Sequence, residues 1–299
     1  MAAYQVCGLP LLSPLIVGSG PITDNERNIR RFLRAGAGAV VTKTIHPKPP
    51  KDNDEKVIAI PSGWLNSTTY SQRPVGGWMA ILSRLAADNA PVMASIHADS
   101  PGELASLAAA IATTGCRALE LGISCLNEAE KFMDTPKRVF DYALAVKRAV
   151  NLPFSVKLGI SSTLRQRVDA AISAGAHAIT LSDTILGLVV DPRTSQIRLG
   201  GAYGYSGPGI RPLVQAAIYE LRRTGVSIPI FGSGGVMSSS DAIEYLCIGA
   251  NAVQIYSVLQ TKNHSVAQIS AGITKLLAER QIPLSQLIGS SLYLEEQTC

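Results

Sequence analysis

The 299-residue chain is 46% hydrophobic and 16% charged, a balance that suits a well-buried globular core and excludes a disordered chain. Its net charge of +5 comes from scattered lysines and arginines with aromatics at only 5%, so no nucleic-acid groove is expected and a small anionic ligand is the better reason for local positive charge. Five widely spaced cysteines (Cys7, Cys116, Cys125, Cys247, Cys299) make no CxxC pair and no metal signature.

That cysteine usage fits a reducing compartment. No apolar run approaches the ~18–20 residues of a membrane span, and the first residues lack a secretory pattern. A soluble, cytoplasmic protein without membrane contact is the expectation.

In chain order, Leu15 to Gly18 is a short apolar run ending in Gly-Ser-Gly-Pro at 18–21. Asp24 or Asn25 then caps a helix that runs to about Ala35 and closes at Gly36. Ala39 to Thr44 reads as a second strand. It leads into a long segment, Ile45 to Gly76, rich in Pro, Lys and Asp. Loops of that length in a compact domain are usually functional.

A helix over about 77–88 precedes a strand at Val92 to His97, and the alternation then becomes regular. Helices at 101–114, 136–150 and 163–174 lead to strands at 116–123, 154–158 and 177–182. A hairpin over Leu188 to Leu199 interrupts. Helices at 209–224 and 239–248 lead to strands at 228–232 and 251–256, and a last helix spans 264–280.

Alternating helices with buried strands imply a parallel sheet. Eight such units in one domain over residues 1–299 imply an α/β fold, a (β/α)8 TIM barrel, with a long active-site loop after strand 2 and a small hairpin insertion after strand 6. An open doubly wound sheet is the alternative; the first βα turn carries no GxGxxG, which counts against it.

Chemistry in such folds collects at the C-terminal ends of strands. Glu120-Leu121-Gly122-Ile123-Ser124-Cys125-Leu126-Asn127 leaves a buried strand there and places a thiol, a hydroxyl and an amide on the loop. Cys125 is either an acid/base group or a packed small hydrophobe. Lys43 and Lys157 also stand at strand ends, where a buried lysine needs a partner.

Phe231-Gly232-Ser233-Gly234-Gly235-Val236 follows strand 7 and Tyr256-Ser257 follows strand 8, where barrels commonly bind phosphate through backbone N–H groups. Gly204-Tyr205-Ser206-Gly207-Pro208-Gly209 supplies a third glycine-rich loop. His46 reads as a solvated loop residue. His97 is either a polar group near a ligand or a satisfied core histidine, and Trp64 and Trp78 read as lid or helix packing. His177, His264 and the remaining cysteines read as structural or surface residues.

Together these motifs resemble the dihydroorotate dehydrogenase family, and are also similar to the pyrimidine-binding part of dihydropyrimidine dehydrogenases. The markers run along almost the whole chain: Gly18-Ser19-Gly20, Val41-Thr42-Lys43-Thr44, Trp64-Leu65-Asn66-Ser67, Ile123 to Asn127, Val156-Lys157-Leu158, Asp183-Thr184 with Gly187, Tyr205 to Pro208 and Gly232 to Gly235. The resemblance implies an FMN-dependent oxidoreductase acting on a CH–CH bond beside a carbonyl. It implies FMN contacts from Ser19, Gly20, Lys43, Thr44, Lys157, Gly207, Gly234, Gly235, Tyr256 and Ser257. Cys125 takes the place of the catalytic base, with Lys43 beside it, and Asn66, Asn127 and Thr184 take pyrimidine-contacting places.

Three positions depart from the family pattern. Gly122 and Asp183 stand where the family has asparagine, and Leu126 where it has proline. An extra carboxylate at Asp183 would repel the carboxylate of orotate, so the sequence predicts a dihydropyrimidine-like or related cyclic amide as substrate. Genuine dihydroorotate oxidation and a phosphate-ligand barrel without redox chemistry are the alternatives. The electron acceptor is expected to be soluble or reached through a separate subunit, and family members of this type often form homodimers.

Overall fold

The computed structural model describes residues 4–50, 56–128, 134–261 and 266–294. Eight short parallel strands close into a barrel: β1 Leu15–Val17, β2 Ala39–Val41, β3 Val92–Ile96, β4 Ala118–Gly122, β5 Phe154–Leu158, β6 Ala178–Leu181, β7 Ile230–Ser233 and β8 Ala252–Ile255. Neighbours in sequence are neighbours in the sheet, and β8 returns to pair with β1, Val253 opposite Leu15. The helices are α1 Glu26–Arg34, α2 Val75–Ala87, α3 Pro101–Ala112, α4 Pro136–Ala149, α5 Leu164–Ser173, α6 Arg211–Arg223, α7 Ser239–Cys247 and α8 Val266–Arg280, followed by two short helices ending at Leu294. This is the (β/α)8 barrel expected from the alternation.

Local signals explain the boundaries. Asn25 caps α1 by accepting the N–H of Asn28 at 2.9 Å, and Ser238 caps α7 in a reciprocal pair with Asp241. Gly36, Gly175 and Gly249 close α1, α5 and α7 at positive φ, where a side chain would be strained, and the chain turns there into the next strand.

Alternation along the strands sorts the core into two layers. Ile16, Ala39, Val41, Met93, Ala118, Ala178, Phe231 and Ala252 fill the barrel interior, and Val6, Leu9 and Leu11 of an N-terminal hairpin (Tyr4–Val6 with Leu9–Leu11) pack onto them from below. The intervening strand residues face the helices in one large cluster. Higher in the barrel the inward positions turn polar: Glu120, Thr180 and Gln254 are buried, and Gly122 pairs in register with Lys157 at the open end.

A four-stranded antiparallel sheet stands over one side of that end, in the order Ile185–Gly187, Tyr203–Ser206, Gly63–Asn66, Val57–Ile60. It corrects two boundaries. The segment after β2 is not a plain loop, because it contains the hairpin Val57–Asn66. The insertion after β6 pairs through Ile185–Gly187 and Tyr203–Ser206, while within 188–199 pairing shrinks to a bridge between Val190 and Ile197. Alternating apolar residues at 186, 188, 190 and 197 imitate a strand signal, but they are about half exposed. The partner that sets the register comes from far away in sequence: Asn66 opposite Gly204. His264 and Cys299 lie outside the described residues.

Candidate active site

The C-terminal ends of the strands line a cleft of about 1270 Å³, its open mouth included. Ser19 and Gly20 reach it from the loop after β1, and Lys43 and Thr44 from the end of β2. Cys125 and Asn127 come from the loop after β4, Lys157 from β5, Asp183 and Thr184 from beyond β6. Asn66 enters from the overlying sheet, and Gly234, Gly235, Tyr256 and Ser257 close the far end. Of the residues expected to act in catalysis or to contact cofactor or substrate, Gly207 alone does not line it; its neighbour Ser206 does.

The far end is built of backbone. Gly234 and Gly235 adopt φ of +145° and +68°, and a Cβ on them would meet Val214 at 2.8 Å and the Gly207 carbonyl at 2.6 Å. No side chain fits there, so the N–H groups of this loop remain approachable ahead of α7. On the other flank the Tyr256 ring lies against Gly20 and its hydroxyl accepts the Ile22 N–H at 3.0 Å, which fixes the loop after β1. Hydroxyls bridge the strand ends: Thr44 Oγ1 is 3.2 Å from Ser19 Oγ and 2.9 Å from Ser95 Oγ. A glycine cradle beside hydroxyls and a lysine is a donor set that fits a phosphorylated cofactor such as FMN.

The centre of the cleft is a charge network. Lys157 Nζ lies 3.2 Å from Asp183 Oδ1. Burial works against its charge, but the Asp183 and Glu120 carboxylates outweigh that and hold the ammonium pKa above its ordinary value. Glu120 is fully buried beneath; its Oε2 accepts from Thr180 Oγ1 at 2.9 Å and Gln254 Nε2 at 2.7 Å, whereas Oε1 has no hydrogen-bond partner among the described residues. Burial pushes the Cys125 thiol up to about 11, a bond from the Asn127 backbone and the Lys43 charge pull it down, and Asp183 and Glu128 add to the rise. Cys125 is a thiol at neutral pH, and its thiolate becomes accessible as positive charge gathers on the site.

Asn66 and Asn127 are less free than ligand contacts need to be. Asn127 donates from Nδ2 to Asn66 Oδ1 at 3.1 Å and to Thr68 O at 2.7 Å, and its Oδ1 accepts the Gly204 N–H at 2.9 Å. Asn66 donates to Gly204 O at 3.0 Å and also accepts from Thr68 Oγ1. These bonds pin the overlying sheet to the loop of Cys125. Each amide keeps a single unused valence for a ligand: one N–H on Asn66 and one lone pair on Asn127.

Sequence reasoning singled out His97, which lines the opposite wall, and missed Tyr70. Tyr70 stacks on His97 at 4.9 Å and on His46 at 4.7 Å between ring centroids, and donates to Glu128 Oε1 at 2.7 Å. His46 is 5% exposed, not solvated, and contacts Asp99 at 3.2 Å. His97 lies against the Gly122 carbonyl at 2.9 Å, and burial lowers its pKa to about 4, so its imidazole is neutral. Gly122 would accept a side chain without a clash: a Cβ there would meet the His97 Cβ and the Ile96 carbonyl at 3.8 Å, an ordinary contact. Polar residues at strand ends (His97 closes β3) were the available signal; the Tyr70 contact depends on the folded hairpin. Trp64 lines the cleft and Trp78 is buried beneath α2, its Nε1 donating to Ser71 at 2.8 Å.

Residues 1–277 match the family model described as dihydroorotate dehydrogenase. A Pyrococcus abyssi protein named dihydroorotate dehydrogenase B (NAD(+)), catalytic subunit, is 32% identical over 98% of this chain and 99% of its own length. Proteins of the same name from Pyrococcus furiosus and Methanosarcina acetivorans are each 33% identical, over 95% and 96% of this chain and 97% and 95% of theirs. No helix among the described residues is long and apolar enough to cross a membrane.

Proposed function

The chain belongs to the dihydroorotate dehydrogenase family, FMN-dependent oxidoreductases of CH–CH bonds, and from that premise we propose that its cleft oxidises dihydroorotate to orotate with Cys125 as the base. The likeness over nearly the full length of relatives named for that substrate supports it over the non-orotate cyclic amide expected from the sequence. The observation that carries the chemistry is the thiol of Cys125 in one cleft with two lysines and a glycine cradle that excludes side chains.

The residues divide the work. Gly234, Gly235 and Ser257 would hold the phosphate of FMN through N–H and hydroxyl groups, with Ser19, Gly20 and Thr44 along its flank. Bound FMN supplies the hydride acceptor. Cys125, once ionised, takes the proton from the ring carbon beside the carbonyl, and the electron pair of that C–H bond becomes the double bond to the neighbouring carbon, which gives up its hydrogen as hydride. Lys43 and Lys157 stabilise the negative charge that develops on the substrate carbonyl and on the cofactor. Asn66 and Asn127 fix the ring with their remaining N–H and lone pair, and their mutual bonds keep the overlying sheet closed against water.

The named relatives are catalytic subunits. By the same reading this chain passes electrons to a separate subunit or a soluble acceptor in the cytoplasm and assembles as a homodimer. Size-exclusion chromatography with light scattering tests the assembly.

One observation favours a second reading. Asp183 places a carboxylate against Lys157 and Gly122 leaves space beside His97, so this wall accepts hydrogen bonds and has lost positive charge. A neutral cyclic amide with an N–H or amino group would meet it without repulsion. Anaerobic mixing of the FMN-loaded protein with dihydroorotate and, separately, with a neutral dihydropyrimidine decides the matter. Faster bleaching of the flavin by dihydroorotate supports the first reading; bleaching by the neutral ring alone replaces it with the second. A colourless protein that takes up no FMN would leave only a phosphate-ligand barrel.

A further inference from the structure

We propose that His46, His97 and Asp99 form a binding site for one divalent ion of the zinc class, behind the cleft wall that carries Tyr70. The inference is independent of the substrate. The residues arrive from different parts of the chain, His46 from the segment after β2 and His97 with Asp99 from the end of β3, 51 positions on. One ligand atom from each lies within 4.8 Å of the other two.

The orientation of the rings is what turns a cluster into a site. Metal-bound histidines commonly donate their second ring N–H to a carbonyl, which fixes the tautomer and aims the other nitrogen. His97 Nδ1 lies 2.9 Å from the Gly122 carbonyl, so Nδ1 carries the hydrogen and Nε2 keeps its lone pair. His46 Nδ1 lies 2.8 Å from the Lys48 carbonyl in the same manner, and 3.1 Å from the Lys48 N–H. The ring is therefore held in either tautomer. Without an ion, Nδ1 accepts from Lys48 N–H and Nε2–H donates to Asp99; with one, Nδ1–H turns to the Lys48 carbonyl and Nε2 is released as a ligand. Stacking against Tyr70 holds both rings in place.

Distances and charge agree. Donors bound at about 2.0–2.2 Å around a tetrahedral ion stand roughly 3.3–3.6 Å from each other. His46 Nε2 and Asp99 Oδ1 are 3.2 Å apart already. Asp99 is half exposed, so its carboxylate can adjust and is reached from solvent. Glu128 Oε1 lies 4.0 Å from His97 Nε2, held by the Tyr70 hydroxyl, and stands outside the three-residue set. Lys48 Nζ occupies the outer oxygen, Oδ2, of Asp99 at 3.0 Å and also meets Glu103, which leaves Oδ1 turned inward. Two imidazoles with a carboxylate select zinc, cobalt or ferrous ions over magnesium or calcium. An occupied site would tie the segment after β2 to β3 and fix the wall that Tyr70 and His97 present to the cleft.

The test titrates the FMN-loaded protein with Zn²⁺ by calorimetry and with Co²⁺ by visible absorption, in parallel with His46→Gln, Asp99→Asn and Cys125→Ser. Flavin content of each preparation reports that the barrel is folded. The expected result is one equivalent of Zn²⁺, roughly tenfold to hundredfold weaker in His46→Gln and in Asp99→Asn and unchanged in Cys125→Ser, with Co²⁺ showing tetrahedral bands that zinc abolishes. Absence of stoichiometric binding overturns the inference. So does binding that survives in both His46→Gln and Asp99→Asn, or that disappears in Cys125→Ser.

Discussion

The two ends of the cleft are made of different material. At the phosphate end the chain presents backbone: Gly234 and Gly235 tolerate no Cβ, and Gly20 lies against the Tyr256 ring. At the other end it presents side chains, Asp183 paired with Lys157 and Tyr70 stacked against His46 and His97, which also stack on each other, and at Gly122 a side chain could be added without a clash. A backbone cradle has few solutions, because any side chain destroys it. A side-chain wall can be exchanged residue by residue while the fold stays intact. On the proposed reading, cofactor binding rests on the first region and the choice of substrate on the second.

The comparison breaks or sharpens under four substitutions. The largest effect belongs to Cys125→Ser, which should slow flavin reduction by substrate roughly 10²–10⁴-fold in stopped flow while leaving FMN bound; unchanged reduction would take the thiol out of the mechanism. Gly235→Val should act on the other region alone. It forces a β-branched residue to φ +68° against the Gly207 carbonyl, and FMN affinity, read by flavin fluorescence, should fall roughly tenfold to hundredfold.

Asn127→Ala removes three hydrogen bonds that join the overlying sheet to the loop of Cys125. It should cost about 1–3 kcal/mol in chemical denaturation, and a loss confined to substrate affinity would show that the amide is a ligand contact and not a clamp.

Asp183→Asn has the smallest and most diagnostic effect. Burial leads the rise of the Cys125 pKa to about 11, and the Asp183 charge adds to it. The base is active as the thiolate, so the rate should climb with pH toward that value. Removing the carboxylate stabilises the thiolate, and the limb should move to lower pH with a gain in rate at neutral pH. A limb that stays in place would mean that Asp183 does not face the thiol in the working enzyme.

The barrel was legible in the sequence because its signal is periodic and local: short apolar runs, capping residues such as Asn25 and Ser238, and glycines such as Gly36, Gly175 and Gly249 where helices turn into strands. The glycine cradle was legible for the same reason, since Gly234-Gly235 are adjacent. The outer sheet was not. Its register joins residues 57–66 to 185–187 and 203–206, and the strand pattern between 188 and 199 shrinks to the bridge of Val190 with Ile197. The Tyr70 wall was hidden likewise. His46 sits among prolines and lysines, which reads as a solvated loop, and only the closing of β2 against β3 buries it on Tyr70 and Asp99. The doubling of Asn66 and Asn127 as mutual partners could not be read from two asparagines 61 positions apart.

The most direct test of the account is anaerobic single-turnover reduction of the bound flavin by dihydroorotate, followed from neutral to alkaline pH. Full bleaching at a rate that rises with pH, and that collapses in Cys125→Ser, is the predicted result. A flavin that dihydroorotate leaves oxidised at every pH while a neutral dihydropyrimidine bleaches it would contradict the proposed substrate.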